Sequence, residues 1–296
     1  MSTAPSTPPH DGVDPAARGT VDLHTHSTAS DGVLPPAAVV EAAHAAGLAA
    51  IALTDHDSVA GVLEAQAAGE RLGVDVVAGA ELSAYAGGEE IHLLALHLSD
   101  VGVIAGELAR FRDDRVARAE RMVARLNTLG VPVTMDDVRR EAGAGAVGRP
   151  HVARAVVARG GAADVREAFD RYLGDGRPAA VEKPRLPARE AIALAHAAGG
   201  IAVWAHPGSA GRRDRVEPLV ADGLDGLEVL HPRHSTEDQQ RLSALAQHFG
   251  LVISGGSDWH GPTDAWRTLG MMRVPPSVLE AQRARAAGVA RAARAA

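Results

Sequence analysis

The sequence predicts an α/β fold of parallel, barrel-type strands interrupted by an all-helical insertion. Three observations lead there. Short apolar strands alternate with helical segments from about residue 20 to 100 and again from about 187 to 261. Strand after strand ends in histidine, aspartate or glutamate: HTHSTASDG begins at His24, and the pattern returns in TDHDS, GAELS, EIHLLALH, WAHPG and SDWHG. Parallel barrels carry their reacting residues at such C-terminal strand ends. Between the two alternating regions, residues 101–185 read as helices only, as an inserted subdomain would.

Taken in order, residues 1–18 are rich in Pro, Ser and Thr without periodicity and are expected as a disordered tail. TVDLHTH is the first strand. LPPAAVVEAAHAAG follows as a helix, with prolines at its first turn and Gly47 at its stop. LAAIALTDHDS is continuously apolar, a strand buried on both faces whose end delivers Asp55, His56 and Asp57. The helix VAGVLEAQAAGERLG leads to the strand VDVVAGAELSA with Glu81, and EIHLLALHLS then presents His92 and His97.

The insertion opens with an arginine-dense helix from about 104 to Leu129, stopped by Gly130 and Pro132. Thr134 and Asp137 mark a capping box, and RPHVARAVVARGG and ADVREAFDRYLG complete the block. Alternation resumes with PAREAIALAHAAGG, IAVWAHPG, a helix near VEPLVADG, LDGLEVLHPRHS, TEDQQRLSALAQHFG and LVISGGSDWHG. The barrel is thus expected over 19–100 and 186–275. Residues 276–296, rich in Ala and Arg, read as a solvated helix or tail.

Composition narrows the chemistry. With 296 residues and 46% hydrophobic content, the chain can bury one large core, or one core plus a modest insertion. The formal charge of -7 argues against a general nucleic-acid or membrane-surface protein. Cysteine is absent, so any metal must be held by imidazole, carboxylate or water, which suits Mn, Fe, Zn or Mg. Basic residues are almost all arginine, with Lys183 the single lysine. No signal core and no bilayer-length apolar run is present, so the expectation is a cytoplasmic protein with no membrane partner and no stable nucleic-acid complex.

On an extended strand His24 and His26, two residues apart, point to one face, and the Ser/Asp/Gly turn after them can bring Asp31 back as an oxygen ligand. Asp258 and His260 repeat the spacing, so they too are expected to share a strand face. Glu81 ends an otherwise apolar strand, where a buried charge is costly unless paired or metal-bound. Asp55 and Asp57 are expected to accept from ligand imidazoles. His97 reads as a packing residue, and His196 and His248 as helix-surface residues. Arg149 and His151 flank Pro150 at a helix start, where free backbone N–H groups and a guanidinium favour an anion. Arg177 in the GDGRP turn is a further anion candidate.

In order and spacing, HTHSTASDG, TDHDS, GAELS, the His92 segment, AHPG and SDWH resemble the motifs of the PHP (polymerase and histidinol phosphatase) superfamily, over about residues 20–270. The resemblance implies a distorted (β/α)7 barrel holding three divalent ions, manganese first, with iron, zinc or magnesium as alternatives. The implied ligands are His24, His26, Asp31, His56, Glu81, His92, His206, Asp258 and His260. GRPHVAR, FDRYLGDG and LEVLHPRHS are similar to the branch containing nucleoside 3′,5′-bisphosphate phosphatases and 5′-to-3′ exoribonucleases. The chain departs from that branch at AAVEKP, where a tyrosine-bearing segment stands in relatives, and at His231, where relatives often have an aromatic residue. His234 resembles the family's late histidine, a donor to the leaving group or a phosphate ligand.

Clustered divalent ions lower the pKa of a bound water toward neutrality and neutralise phosphate oxygens, so phosphate-ester hydrolysis is the expected reaction. No Ser-His-Asp order and no Gly-rich phosphate loop is present to suggest acyl-enzyme or kinase chemistry. The leading expectation is removal of the 3′-phosphate from nucleoside 3′,5′-bisphosphates, with short RNA 5′ ends as further substrates. Histidinol-phosphate hydrolysis and a non-catalytic module are the alternatives.

Overall fold

A computed structural model describes residues 19–142, 147–182, 185–263 and 266–295. The tail expected over 1–18 and Lys183 lie outside the described residues. The chain divides into two compact units, Met1–Ala105 with Leu186–Ala296, and Gly106–Arg185.

The first unit is an α/β fold around a seven-stranded, mostly parallel sheet whose strands neighbour one another in sequence order. In order these are β1 (Val21–Thr25), α1 (Pro36–Ala46), β2 (Ala50–Leu53), α2 (Val62–Leu72), β3 (Asp75–Ala86) and β4 (Glu89–Leu96). The helix α3 (Val101–Thr128) runs on into the second unit, which adds α4 (Met135–Ala142), α5 (Arg149–Ala158) and α6 (Val165–Ala168) with a π-helical turn over Phe169–Leu173. The first unit resumes with α7 (Ala188–Ala197), β5 (Ile201–Trp204), α8 (Arg213–Ala221), β6 (Gly226–Leu230), α9 (Thr236–Phe249), β7 (Val252–Gly255) and α10 (Pro276–Ala295).

Two departures from the expected barrel have physical causes. First, β4 runs antiparallel to both β3 and β5. Only Gly87 and Gly88 separate β3 from β4, both at positive φ, and so short a connection closes a hairpin where a parallel crossover needs a dozen residues or more. An antiparallel strand brings its N-terminal half to the end where its parallel neighbours finish. His92 therefore lies in the first half of β4, opposite Ser83, while His97 lies beyond its other end.

Second, the sheet is not closed. The amide of Val21 donates to Val274 O and that of His26 to Trp259 O, both at 2.9 Å, so Trp259 and Val274 take up edge groups of β1. Asp22, buried in β1, accepts from the amides of Ser257 at 2.9 Å and Gly270 at 2.8 Å and ties both residues to the strand. Gly256 fits there because an added Cβ would fall 2.5 Å from His24 Cβ.

Ile51, Leu53, Val39 and Val40 pack with Trp259 on one side of the sheet. Leu94, Leu96, Ile201 and Val203 pack with Val278 and Leu279 of α10 on the other. The Ala/Arg-rich C-terminus is thus a docked helix and not the solvated segment expected. Val278, Leu279, Gln282 and Ala286 recur with helical spacing, and all four are buried. Gln282 donates to Ile253 O at 3.0 Å and accepts from His97 Nε2 at 3.2 Å. His196, expected on a helix surface, instead meets Asp225 at 2.6 Å, while His248 is exposed.

Burial, with a smaller contribution from nearby Arg283, lowers the His97 pKa. The group is therefore neutral in the fold, and its contribution is fully present above the unfolded-state pKa near 6.5 and is lost as pH falls through the folded-state pKa. His97→Ala should cost about 1 kcal/mol at pH 8, and the gap from the native chain should shrink toward pH 5. Thermal unfolding of both metal-free chains across that range checks this; a gap independent of pH would disprove it.

In the second unit, Met122, Leu126, Val138, Val152, Val156 and Leu173 form a separate core. Thr134 and Asp137 make the expected reciprocal cap, Thr134 N donating to Asp137 at 3.0 Å and Asp137 N to Thr134 Oγ1 at 3.2 Å. Among the described residues no helix is long and apolar enough to cross a membrane.

Candidate metal centre

Glu81 is the hub. It is fully buried in β3. Its Oε1 faces His92 Nδ1 at 2.6 Å and His206 Nε2 at 2.8 Å, while its Oε2 faces His24 Nε2 at 3.0 Å, His26 Nε2 at 3.3 Å and His56 Nδ1 at 3.4 Å. Five imidazoles from four parts of the chain converge on one carboxylate. Burial would raise the pKa of Glu81, but His24 and the hydrogen-bonded imidazoles hold it well below the usual carboxylate range.

Asp258 closes the floor, with Oδ1 3.1 Å from His26 Nε2 and 3.4 Å from His24 Nε2. Asp31, more exposed, approaches His260 at 3.3 Å, His26 at 3.6 Å and His56 at 3.8 Å. Burial opposes ionisation of Asp31, yet His260 and the neighbouring imidazoles bring its pKa down to about 2.

Among the described residues, three overlapping groups present ligand atoms within 4.8 Å of one another: His26, Asp31, His56 and His260; His24, His26, Glu81 and Asp258; and His56, Glu81 and His92. Eight of the nine expected ligands fall into these groups, and the ninth, His206, reaches Glu81 directly. His24, His26, Glu81 and Asp258 are buried, whereas the side chains of His56, His92, His206 and His260 are 21–30% exposed and leave one side open to solvent.

The donor set fits divalent cations. Both ring nitrogens of His26 are buried without a well-aligned hydrogen bond, although Nε2 lies between Asp258 Oδ1 at 3.1 Å and Glu81 Oε2 at 3.3 Å. Buried polar groups are normally paired by aligned hydrogen bonds, and a cation held between this imidazole and the two carboxylates would complete the pairing. Burial alone would lower the pKa of His24, but Glu228, Glu81 and Asp258 outweigh it and raise the value well above normal. A proton there occupies the place of positive charge that a ligated ion would fill.

The strand ends do not account for all of this geometry. Asp258 and His260 lie past the end of β7, and Asp258 has φ +52°, so their shared strand face does not exist. Arg267 holds them instead: it donates to Asp258 O at 2.7 Å, pairs with Asp258 Oδ2 at 3.0 Å and lies 3.2 Å from His260 Nδ1. His206 also has positive φ, +33°. Left-handed backbone at non-glycine residues concentrates at functional sites.

Asp55, expected to accept from an imidazole, instead accepts from Ser27 N, Ser27 Oγ and Ser30 Oγ, each at 2.7 Å, and so folds the turn that carries Asp31. Asp57 accepts from the amide of Ser83 at 3.0 Å. His231, marked above as a departure, is buried with Nε2 3.4 Å from Asp258 Oδ2. His234 is buried as well; its Nδ1 donates to Val229 O at 2.9 Å and its Nε2 accepts from Gly208 N at 3.1 Å.

In the second unit Arg149 pairs with Asp175 at 2.8 Å, His151 Nδ1 caps α5 by accepting from Gly148 N at 2.9 Å, and Arg177 is exposed. Glu228 and Arg267 escaped the sequence reading. Glu228 carried the same signal as Glu81, an acid within the apolar strand GLEVL; Arg267 carried none.

Residues 22–128 match the PHP domain. The chain is 35% identical over 264 residues to the 3′,5′-nucleoside bisphosphate phosphatase of Chromobacterium violaceum, covering 86% of this chain and 93% of that one. It is 37% identical over 255 residues to a 5′-3′ exoribonuclease of Haemophilus influenzae, covering 84% and 92%. A solved structure from Bifidobacterium adolescentis, described as that of a metal-dependent phosphoesterase, is similar with a TM-score of 0.67 and 34% identity over 92% of this chain and 98% of that one. With likeness of this extent, and with the buried histidine–carboxylate cluster in place, the chain is a hydrolase belonging to the PHP phosphoesterase family.

Proposed function

We propose that the chain removes the 3′-phosphate of nucleoside 3′,5′-bisphosphates, with short RNA 5′ ends as further substrates, and that it uses three divalent ions, manganese first. The observation that carries the reading is the convergence of five imidazoles on Glu81, with Asp258 and Asp31 closing around them. The substrate class follows the relatives that act on a nucleoside bisphosphate and on RNA.

Divalent ions, when bound, would supply Lewis acidity and a water acidified toward neutrality. The chain does the rest. His24, His26, Asp31, His56, Glu81, His92, His206, Asp258 and His260 are the ligands of this proposal. The partly exposed rim of His56, His92, His206 and His260 admits the ester, and the buried floor limits rearrangement of the donors. Arg149, His151 and Arg177 are the proposed phosphate-binding residues, Arg149 as a bidentate guanidinium.

The reading is tested by phosphate release from metal-reconstituted protein, offered adenosine 3′,5′-bisphosphate, the two monophosphates, histidinol phosphate and a short 5′-phosphorylated RNA. The bisphosphate should show the highest kcat/KM and yield 5′-AMP. Faster turnover of histidinol phosphate would reject the reading.

His234 is the proposed proton donor to the leaving group, a role that requires its Nε2 to exchange the Gly208 amide for a proton. His234→Ala should lower kcat by roughly 10² to 10⁴ for a sugar hydroxyl leaving group, and much less for p-nitrophenyl phosphate, whose leaving group needs no proton. Equal losses on both would assign His234 to holding the turn at Gly208.

A further inference from the structure

We propose that Glu228 is a positioning residue that presents His24 and His206 to the metal site, an inference that rests on the metal-dependent reading above. Glu228 is fully buried in β6, between the apolar side chains of Leu227 and Val229 in sequence. A carboxylate there needs two kinds of compensation, and both come from candidate ligands. Its Oε1 accepts from His24 Nδ1 at 3.0 Å, and its Oε2 accepts from the backbone amide of His206 at 2.6 Å.

Each bond has a consequence at the centre. A neutral imidazole carries one proton, and with that proton on Nδ1 toward Glu228, the lone pair of His24 is left on Nε2. That nitrogen is the one 3.0 Å from Glu81 Oε2 and 3.4 Å from Asp258 Oδ1. The second bond satisfies the amide of a residue at φ +33°, a conformation non-glycine residues rarely adopt. With the backbone so turned, His206 Nε2 comes within 2.8 Å of Glu81 Oε1. One carboxylate thus sets the tautomer of one ligand and the backbone of another.

Glutamine is the informative replacement because it matches the shape and loses one acceptor. Turned one way, its NH₂ meets His24 Nδ1 and drives the ring proton to Nε2, where it blocks ligation. Turned the other way, the NH₂ opposes the amide of His206. Neither orientation keeps both bonds.

The test uses the full chain, stripped of metal and titrated with Mn²⁺ alone, with free Mn²⁺ followed by electron paramagnetic resonance. Glu228→Gln should bind Mn²⁺ about 10- to 100-fold more weakly than the native chain, with the far-UV circular dichroism of the metal-free protein retained. In a His24→Ala background the same substitution should cost distinctly less, since one of its two routes is already gone. Equal Mn²⁺ affinity in the native and glutamine chains, or an equal loss in both backgrounds, would overturn the proposal. Should the glutamine variant not fold, Glu228→Asp takes its place: it keeps both acceptor oxygens but sets them back by one methylene, too far to hold His24 Nδ1 and the His206 amide together, so the same expected and overturning results apply. A native chain that takes up neither Mn²⁺ nor Zn²⁺ would refute the metal reading itself, a result distinct from either of these.

Discussion

Glu81→Ala should abolish measurable phosphate release and leave the purified protein depleted of metal. Glu81 lies within 3.4 Å of five imidazole nitrogens, more than any other carboxylate among the described residues. Removing it deprives two of the three candidate groups of a shared donor at once. Charge stabilisation by a bound ion is worth several kcal/mol in a transition state, and a loss of ~4 kcal/mol lowers kcat/KM by about 10³-fold. His24→Ala and Asp258→Ala should act in the same direction, because both residues belong to the buried floor. Elemental analysis and initial rates at limiting Mn²⁺, with circular dichroism as a control for folding, decide the matter. Full activity in any of the three variants would remove that residue from the ligand set.

Arg149→Ala should separate two classes of substrate. If Arg149 contacts the phosphate that is not hydrolysed, losing one charge-assisted contact costs about 1.5 to 3 kcal/mol, or roughly ten- to hundredfold in kcat/KM for adenosine 3′,5′-bisphosphate. Monophosphate hydrolysis should barely change, since binding energy from a remote group helps only a substrate that carries it. The guanidinium is held by Asp175, whose own carboxylate is almost wholly exposed. An equal loss on mono- and bisphosphates would show that Arg149 serves the second unit's structure and not its substrate.

Much of the candidate site was readable as spacing. His24 and His26 alternate along an extended strand, and both reach Glu81 Oε2 as that alternation requires. Glu81 stood out as a charge in an apolar strand. Glu228 obeys the same rule in GLEVL, next to histidines whose spacing is the more conspicuous signal. The hairpin was also legible: Gly87-Gly88 between two alternating runs is a tight-turn signal, and assigning β4 to a parallel barrel overrode it. The docking of α10 was hidden by composition. Alanine and arginine dominate that segment, and the spaced apolar face of Val278, Leu279 and Ala286 is narrow.

By itself the sequence determined the apolar strands, most of the helix stops, and which side chains have the chemistry to hold a cation. These are local properties, set by side-chain period, by glycine and proline, and by the cost of burying a charge. Tertiary structure alone decided which nitrogen faces which oxygen. Asp258 is aimed by Arg267 and a left-handed backbone, Asp55 turned out to hold Ser27 and Ser30, and the edge amides of Val21 and His26 are taken by Val274 O and Trp259 O. Each of these depends on hydrogen-bonding partners far apart in the chain, and a donor's choice among distant acceptors is settled only when packing has brought them together.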